Sequence, residues 1–255
     1  MNVKRWLRPI AVLGSVALLA TGCATAPDRP PDSEVLPQLT AFSVNPPGEA
    51  LPQHWHPWSL SRFKAPSRYR LVPDESGAIV VKANARATAS GLIHYLDVDP
   101  RVSPVLTWRW KAMDLTPSRT SADDSPVRVV VSFSGDLDKL PFSDRMFYDN
   151  FRLFTGQQLP YAALMYIWGS RTPKENITPN RYTSRIKILV VENGREKLGT
   201  WQVISRNVLE DFKRAFGEEP GKVISVGILT ETDNTEREME AYYGNIQFRR
   251  GGCCH

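Results

Sequence analysis

The chain has 255 residues, of which 42% are hydrophobic and 23% are charged, and this composition is that of an ordinary globular protein. The net charge of +5 includes three basic side chains within residues 1–22, and without that segment 29 basic side chains face 27 acidic ones, a net charge of +2. Charge therefore gives no reason to expect a nucleic-acid partner.

The first residues have the layout of a secretory signal. Three basic side chains precede an apolar run over 9–20, which is shorter than the ~20 residues that a membrane-spanning helix needs. Small residues then lead to Cys23. We expect residues 1–22 to be a cleaved signal peptide, and we expect no membrane-spanning segment.

The residues Ala20-Thr21-Gly22-Cys23 resemble the lipobox of bacterial lipoproteins. The resemblance implies that Cys23 is acylated and becomes the first residue of the mature protein, so that its acyl chains anchor it to a membrane. Ala24 stands where inner-membrane lipoproteins usually have Asp, which favours the periplasmic face of the outer membrane. The alternative is a plain secreted protein in which Cys23 occurs by chance.

Proline content divides the rest of the chain. Eight prolines lie between residues 24 and 57, and they predict an extended tether over 23–50, with order returning near Phe42 or Leu51. Residues 51–250 are expected to form one domain and residues 251–255 a disordered tail. The tail residues Cys253, Cys254 and His255 offer metal-ligating groups, but a frayed terminus with free thiols is favoured.

Short apolar runs with a period of two dominate the chain beyond residue 60, and turn residues separate them. This pattern is typical of a mostly β protein and predicts an antiparallel two-sheet β-sandwich with one or two short helices. The ten predicted strands are 68–72, 78–83, 91–98, 105–111, 127–133, 162–168, 185–191, 200–206, 223–230 and 242–248.

Two helices and one turn interrupt this pattern. Val208, Phe212 and Phe216 follow each other at fourfold spacing, which predicts a helix over 207–216 that ends at Gly217. A second candidate helix covers 143–154. The sequence Glu192-Asn193-Gly194-Arg195 predicts an Asn-Gly turn that joins two strands as a hairpin.

Alternation also assigns side chains to the two faces of each strand. It predicts that Trp108, Trp110 and Ile188 point into the core. If their strands share a sheet, the interleaved basic residues form one row that suits a sugar or an acidic polysaccharide, together with an aromatic ring such as Trp168 or Tyr243. The alternative is that the charged side chains only face solvent and the aromatic rings only belong to the core. The basic residues are Arg109, Lys111, Arg128, Arg185 and Arg206.

Several motifs together resemble the bacterial domain-of-unknown-function family 3047, over roughly residues 50–249. The motifs are TWRWK at 107–111, DDSPVRV at 123–129, YIWG at 166–169, RNVLEDF at 206–212, TDNT at 232–235 and YGNI at 243–246. The resemblance implies a jelly-roll-like sandwich exported to the cell envelope and similar in shape to carbohydrate-binding modules, without an established activity. Ser125, Glu231 and Asn245 depart from the family pattern, and the last two weaken an acidic cluster at its C-terminal end.

One short segment offers candidate metal ligands. Glu231, Asp233 and Asn234 supply hard oxygens within a predicted turn, as Ca²⁺ requires, while a purely structural turn is the alternative reading. No other cofactor is expected. The chain has no Gly-x-Ser-x-Gly, His-Glu-x-x-His or phosphate-loop motif.

The leading hypothesis is a noncatalytic, lipid-anchored module that binds a glycan or another envelope component. Its candidate ligand-binding residues are Arg109, Arg128, Trp168, Asp211, Asp233, Asn234 and Tyr243. One alternative is an enzyme that acts on polysaccharide, with Asp211, Asp233 or Glu231 as its acid or base. A second alternative is a structural lipoprotein that docks an envelope protein.

Overall fold

The computed structural model of the protein describes residues 34–59, 65–115, 125–232 and 238–251. The predicted signal peptide, Cys23, Asp233, Asn234, Cys253, Cys254 and His255 lie outside these ranges. The described chain is mostly β, and two stacked sheets form a sandwich with two α-helices, so the predicted fold class is confirmed.

The elements are numbered in chain order. The strands are β1 His56–Ser59, β2 Arg68–Pro73, β3 Ile79–Arg86, β4 Ala89–Val98, β5 Val105–Ala112, β6 Arg128–Phe133, β7 Ala162–Gly169, β8 Ile177–Pro179, β9 Ile186–Asn193, β10 Gln202–Asn207, β11 Val223–Glu231, β12 Glu238–Tyr243 and β13 Gln247–Arg249. The helices are α1 Phe142–Thr155 and α2 Val208–Phe216.

One sheet has seven strands in the order β1-β4-β11-β6-β7-β9-β8. The other has six strands, with the order β10-β5-β12-β3-β2 and β13 also paired with β5. The strand pairs are antiparallel except for β7 and β9, which run parallel. The parallel pair is a departure from the all-antiparallel prediction, and β8 lies in the long connection between its two strands.

Each of the first nine predicted strands overlaps an observed strand, and the run 242–248 spans the end of β12 and the start of β13. The strands β1 and β8 were not predicted. Both contain a proline, Pro57 or Pro179, and both lie at the edges of the seven-stranded sheet. Edge strands tolerate proline because one side of the strand needs no hydrogen bonds. Proline in a sequence argues against a strand, so edge strands that contain it are not predicted.

Both predicted helices are present, and local sequence sets their ends. The side chain of Asn207 accepts a hydrogen bond from the backbone N–H of Glu210 and caps α2 at its start. Gly217 ends α2 and Gly156 ends α1, each with a positive φ near 70°.

The predicted hairpin at Asn193-Gly194 is wrong. β9 belongs to the seven-stranded sheet and β10 to the six-stranded sheet, so the turn leads from one sheet to the other. The backbone N–H of Gly199 donates to the carbonyl of Ala112, which attaches the connection to β5 before β10 begins.

The core lies between the two sheets and contains Trp108 and Trp110, as predicted. Ile188 does not belong to it: with Ile167 and Val190 it forms a second, smaller cluster. Alternation failed here because the middle of β9 is buried on both faces, so the side chains from Ile188 to Val191 are all apolar.

The segment predicted as a tether is packed against the domain from Leu36 onward. Leu36 pairs with Leu96 of β4, and the ring of Phe42 is fully buried in the core. No helix within the described ranges is long and apolar enough to span a membrane.

Candidate ligand-binding face

The basic residues do not form the single row that alternation suggested. Arg109 and Lys111 lie on the outer face of the six-stranded sheet, whereas Arg128 belongs to the seven-stranded sheet. Arg206 lies opposite Leu106 in the register of β10 and β5, so it is on the inner side of its sheet. Arg128 is separated from Arg109 because β5 and β6 belong to different sheets, and Arg206 is separated because it lies on the opposite face of the same sheet.

The two aromatic candidates are core residues. The indole N–H of Trp168 donates to the carbonyl of Gly194 at 3.0 Å, and its ring is fully buried. The hydroxyl of Tyr243 donates to the carbonyl of Leu229 at 2.7 Å, and this ring is also fully buried. Neither ring presents a face to a ligand in this structure.

Arg128 and Glu231 form an ion pair in which Nη1 and Oε1 are 2.6 Å apart and both side chains are nearly buried. Glu231, the described member of the proposed calcium ligands, is therefore engaged by an arginine. Within the ranges that the structure describes, no three His, Cys, Asp or Glu side chains are grouped so that they could hold a metal ion.

Asp211 is held by three neighbours at the start of α2. Its Oδ2 accepts hydrogen bonds from the hydroxyl of Tyr166 at 3.0 Å and from Nε of Arg206 at 2.8 Å. Its Oδ1 accepts from Nη2 of Arg206 at 2.6 Å and from Arg214 at 3.3 Å. Burial, reinforced by the Asp211 carboxylate, raises the pKa of Tyr166 well above its usual value, so the tyrosine stays a donor. This geometry joins α2 to the sheets.

A different group of side chains lies together on the outer face of the six-stranded sheet, and we call it the aromatic–charge platform. It combines two partly exposed aromatic rings with three cations and three carboxylates. Its members are Trp201, Tyr242, Lys82, Arg109, Lys111, Asp74, Glu75 and Glu240.

Strand register creates one half of the platform. Tyr242 on β12 lies between Lys111 on β5 and Lys82 on β3, and residues directly opposite each other in a sheet share a face. The ammonium of Lys111 is 4.7 Å from the centre of the Tyr242 ring. Glu240 accepts hydrogen bonds from the Tyr242 hydroxyl at 2.5 Å and pairs with Lys82 at 2.6 Å.

Trp201, which immediately precedes β10, forms the other half. The guanidinium carbon of Arg109 is 4.3 Å from the centre of the indole ring, close enough for a cation–π contact. The indole N–H donates to Glu75 at 3.0 Å, and the same carboxylate pairs with Lys111. The contact with Arg109 at the ring face and the hydrogen bond to Glu75 at the ring edge therefore fix the orientation of Trp201.

The β2–β3 turn supplies two of the carboxylates. Asp74 Oδ1 accepts hydrogen bonds from the N–H and hydroxyl of Ser76, while Oδ2 accepts from Arg109 at 2.6 Å. Burial opposes ionisation of Asp74, but the hydrogen bonds from Ser76 and Arg109 outweigh it and lower its pKa to about 2. Hydrogen bonds from Lys111, and then from Trp201, lower the pKa of Glu75 to about 2.

The platform contains one of the predicted ligand-binding residues, Arg109. Sequence reasoning missed Trp201, Tyr242 and Glu75. Alternation in the run 242–248 carried a signal, since it places Tyr242 and the core residue Tyr243 on opposite faces of β12. No comparable signal marked Glu75, which lies in the β2–β3 turn. Trp201 falls within the predicted strand 200–206 but precedes β10, and it reaches the platform through the tertiary fold.

Comparison with known proteins adds a family but no activity. The family model described as "Protein of unknown function (DUF3047)" matches residues 53–247. No curated protein matches the chain.

Three solved structures that resemble the chain do so at low sequence identity. The glycoside hydrolase domain of Endo-D from Streptococcus pneumoniae R6 is 8% identical with a TM-score of 0.34, and the match covers 78% of this chain and 22% of that one. The xyloglucanase domain of NopAA from Sinorhizobium fredii, in complex with cellobiose, is 5% identical with a TM-score of 0.40 over 81% and 97% of the two chains. The K3 cleaved adhesin domain of Lys-gingipain from Porphyromonas gingivalis w83 is 10% identical with a TM-score of 0.37 over 83% and 98%. Similarity at these levels transfers no function to this chain.

Proposed function

Because this chain belongs to the DUF3047 family, whose function is unknown, we propose from its geometry that it is a noncatalytic module that binds a glycan on the aromatic–charge platform. The observation that carries the proposal is the association of two partly exposed rings, Trp201 and Tyr242, with fixed hydrogen-bond donors and acceptors on one sheet face. Aromatic rings stack on the apolar faces of sugars, and sugar hydroxyls both donate and accept hydrogen bonds.

Charge on the platform favours a neutral or weakly charged glycan. Its three cations, Lys82, Arg109 and Lys111, are each paired with a carboxylate. A polyanion would have to displace those carboxylates from their partners. A neutral sugar can bind beside the pairs and exchange hydrogen bonds with them, which preserves the existing geometry.

The proposed location follows from the N-terminal segment. Acylation of Cys23 would hold the domain at the periplasmic face of the outer membrane, where envelope glycans are within reach. The proposal for the platform does not depend on which membrane carries the anchor.

Isothermal titration calorimetry tests the proposal with the full mature chain. Soluble oligomers of neutral hexoses, N-acetylhexosamines and uronic acids are titrated, and insoluble peptidoglycan is tested by co-sedimentation. We expect one neutral class to bind, and we expect Trp201→Ala to weaken that binding at least about tenfold, which corresponds to about 1.4 kcal/mol.

Tyr182→Ala is the matched control, because Tyr182 is an exposed aromatic residue outside the platform. Its affinity should equal that of the unmodified chain. Absence of binding to every glycan, or equal affinity of the Trp201→Ala chain, would overturn the proposal.

A further inference from the structure

The helix α1 presents an apolar stripe to solvent. Phe142, Met146 and Leu153 are exposed, and at 3.6 residues per turn they fall within an arc of about 40°. Phe154 is also exposed, further around the helix. Exposed large apolar side chains are common singly, but here four of them lie on one helix.

The opposite side of α1 fixes its orientation. The carboxylate of Asp144 accepts hydrogen bonds from the Thr183 hydroxyl at 2.7 Å and from both the N–H and hydroxyl of Ser184. The hydroxyl of Tyr148 donates to the carbonyl of Pro160 at 2.9 Å. Because these contacts anchor the buried side of the helix, the stripe cannot turn inward without breaking them.

Aromatic and basic residues surround the stripe. Tyr182 is exposed and stacks on Phe147 of α1, with the ring planes 3° apart and the centres separated by 5.9 Å. The guanidinium of Arg181 lies 4.5 Å from the centre of the Tyr182 ring. The exposed side of α1 adds Arg145 and Arg152 against one acidic residue, Asp149. Apolar and aromatic side chains bordered by excess arginine match the headgroup region of an anionic lipid bilayer.

The entering segment runs parallel to β4, towards the same end of the sheet. Val98, Val223, Phe133 and Ala162 form one crosswise row, and α1 lies in the connection between Phe133 and Ala162. The entering segment pairs with β4 at Leu96, two residues before Val98.

The length of the entering segment limits how far the domain can lie from a lipid anchor. Cys23 precedes Glu34, the first described residue, by eleven positions. An extended chain of that length spans at most about 40 Å. An anchor at Cys23 would therefore hold the domain within about 40 Å of a bilayer, close enough for α1 to reach it.

We propose that α1 binds the lipid surface, with Phe142, Met146, Leu153 and Phe154 inserted among the headgroups and the arginines facing anionic lipid. A second copy of the chain is a poorer occupant. A helix of 14 residues is about 21 Å long and 10 Å wide, so its face covers roughly 200 Å², well below the ~800 Å² per partner of a stable protein interface.

A nitroxide placed in the stripe tests the proposal. The full acylated chain, with Cys253→Ser and Cys254→Ser, carries the label at Leu153→Cys and is reconstituted in vesicles of phosphatidylethanolamine and phosphatidylglycerol. The matched control is Val203→Cys, because Val203 and Leu153 have the same exposed fraction, 76%, and Val203 lies on the outer face of the six-stranded sheet. We expect vesicles to protect the Leu153 label several-fold from an aqueous nickel relaxant and to leave the Val203 label unchanged.

A second measurement separates the helix from the acyl anchor. In chains with Cys23→Ala, co-sedimentation with the same vesicles should fall several-fold when Met146→Glu and Leu153→Glu are added, with an unchanged unfolding midpoint. Equal relaxant access at both labels would overturn the proposal. Protection of the Leu153 label without vesicles, increasing with protein concentration, would also overturn it and assign the stripe to a second copy. Glycan affinity is measured separately, so failure of one proposal does not affect the other.

Discussion

Gly244 lies directly beneath the side chain of Arg109. A Cβ atom at residue 244 would be 2.5 Å from both Cγ and Nε of Arg109, distances that no pair of nonbonded carbon or nitrogen atoms tolerates. The backbone N–H of Gly244 also donates to the carbonyl of Arg109 at 2.9 Å, so the two residues are held together by the sheet itself. The absence of a side chain at 244 allows Arg109 to reach both Asp74 and Trp201.

Gly244→Ala is therefore expected to displace Arg109 from its contacts without removing a charge. The steric clash and the broken ion pair should lower the free energy of unfolding by about 1–2 kcal/mol. Urea unfolding measures this loss, and glycan titration should show weaker binding because Trp201 loses its cation.

The double variant gives the control for this effect. In an Arg109→Ala chain no Cγ remains above residue 244, so adding Gly244→Ala should cost little. A double-mutant cycle should give an interaction energy of at least about 1 kcal/mol. If the two substitutions lower the free energy of unfolding additively, the effect of Gly244→Ala does not arise from a clash with Arg109.

Asp211→Asn separates a structural role from a catalytic one. The carboxylate binds Arg206, Arg214 and Tyr166, so loss of its charge should destabilise the fold by about 2–3 kcal/mol. Glu175 still pairs with Arg206, which keeps the loss below that of an isolated buried arginine. Loss of reducing-sugar release from a polysaccharide, with unchanged stability, would instead support the enzymatic alternative.

His94 should make the stability of the fold depend on pH. Its Nε2 accepts the backbone N–H of Thr40 at 3.1 Å, and burial lowers the pKa of the ring to about 4, against about 6.5 in an unfolded chain. At pH values between these two pKa values, His94 is protonated in the unfolded state and neutral in the folded state. The contribution of His94 to the free energy of unfolding is complete above pH 6.5 and is lost as pH falls towards 4, by about 3 kcal/mol.

Urea unfolding at pH 7.5, 6.0 and 4.5 measures this dependence. A His94→Gln chain removes the titrating group and retains an acceptor for the Thr40 N–H, so its stability should decline less over the same range. If the free energy of unfolding depends on pH equally in the two chains, the pKa of His94 is not lowered in the folded state.

Glycan binding on the platform should vary little with pH. The pKa values of Asp74 and Glu75 are both lowered to about 2, so both carboxylates remain ionised at every pH above about 4. Their contribution to stability is complete above the ordinary carboxyl pKa and is lost only as pH falls towards 2. Titrations at pH 4.5, 6.0 and 7.5 should give affinities within about twofold. A steep change between pH 5 and 7 would require another titrating group in the site.

Much of this architecture is encoded locally. The period-two runs located most strands, because a strand with one face on a core must alternate apolar and polar side chains. The fourfold spacing of Val208, Phe212 and Phe216 and the stop at Gly217 located α2, because helical periodicity and a left-handed end residue are properties of a few neighbouring residues. Both kinds of signal act within about ten residues of chain, so the sequence alone was sufficient to determine them.

The binding face was decided by the tertiary structure alone. Alternation states that Arg109 and Arg128 point away from the core, but it contains no information about which sheet each strand joins. Strand partners are distant in the chain: Tyr242 meets Lys82 and Lys111 through pairings of β12 with β3 and β5. The burial of both faces of β9, the transfer of the chain between sheets at Gly194, and the arrival of Trp201 over Arg109 all result from long-range packing. The free energy of such packing depends on the whole core rather than on any local pattern.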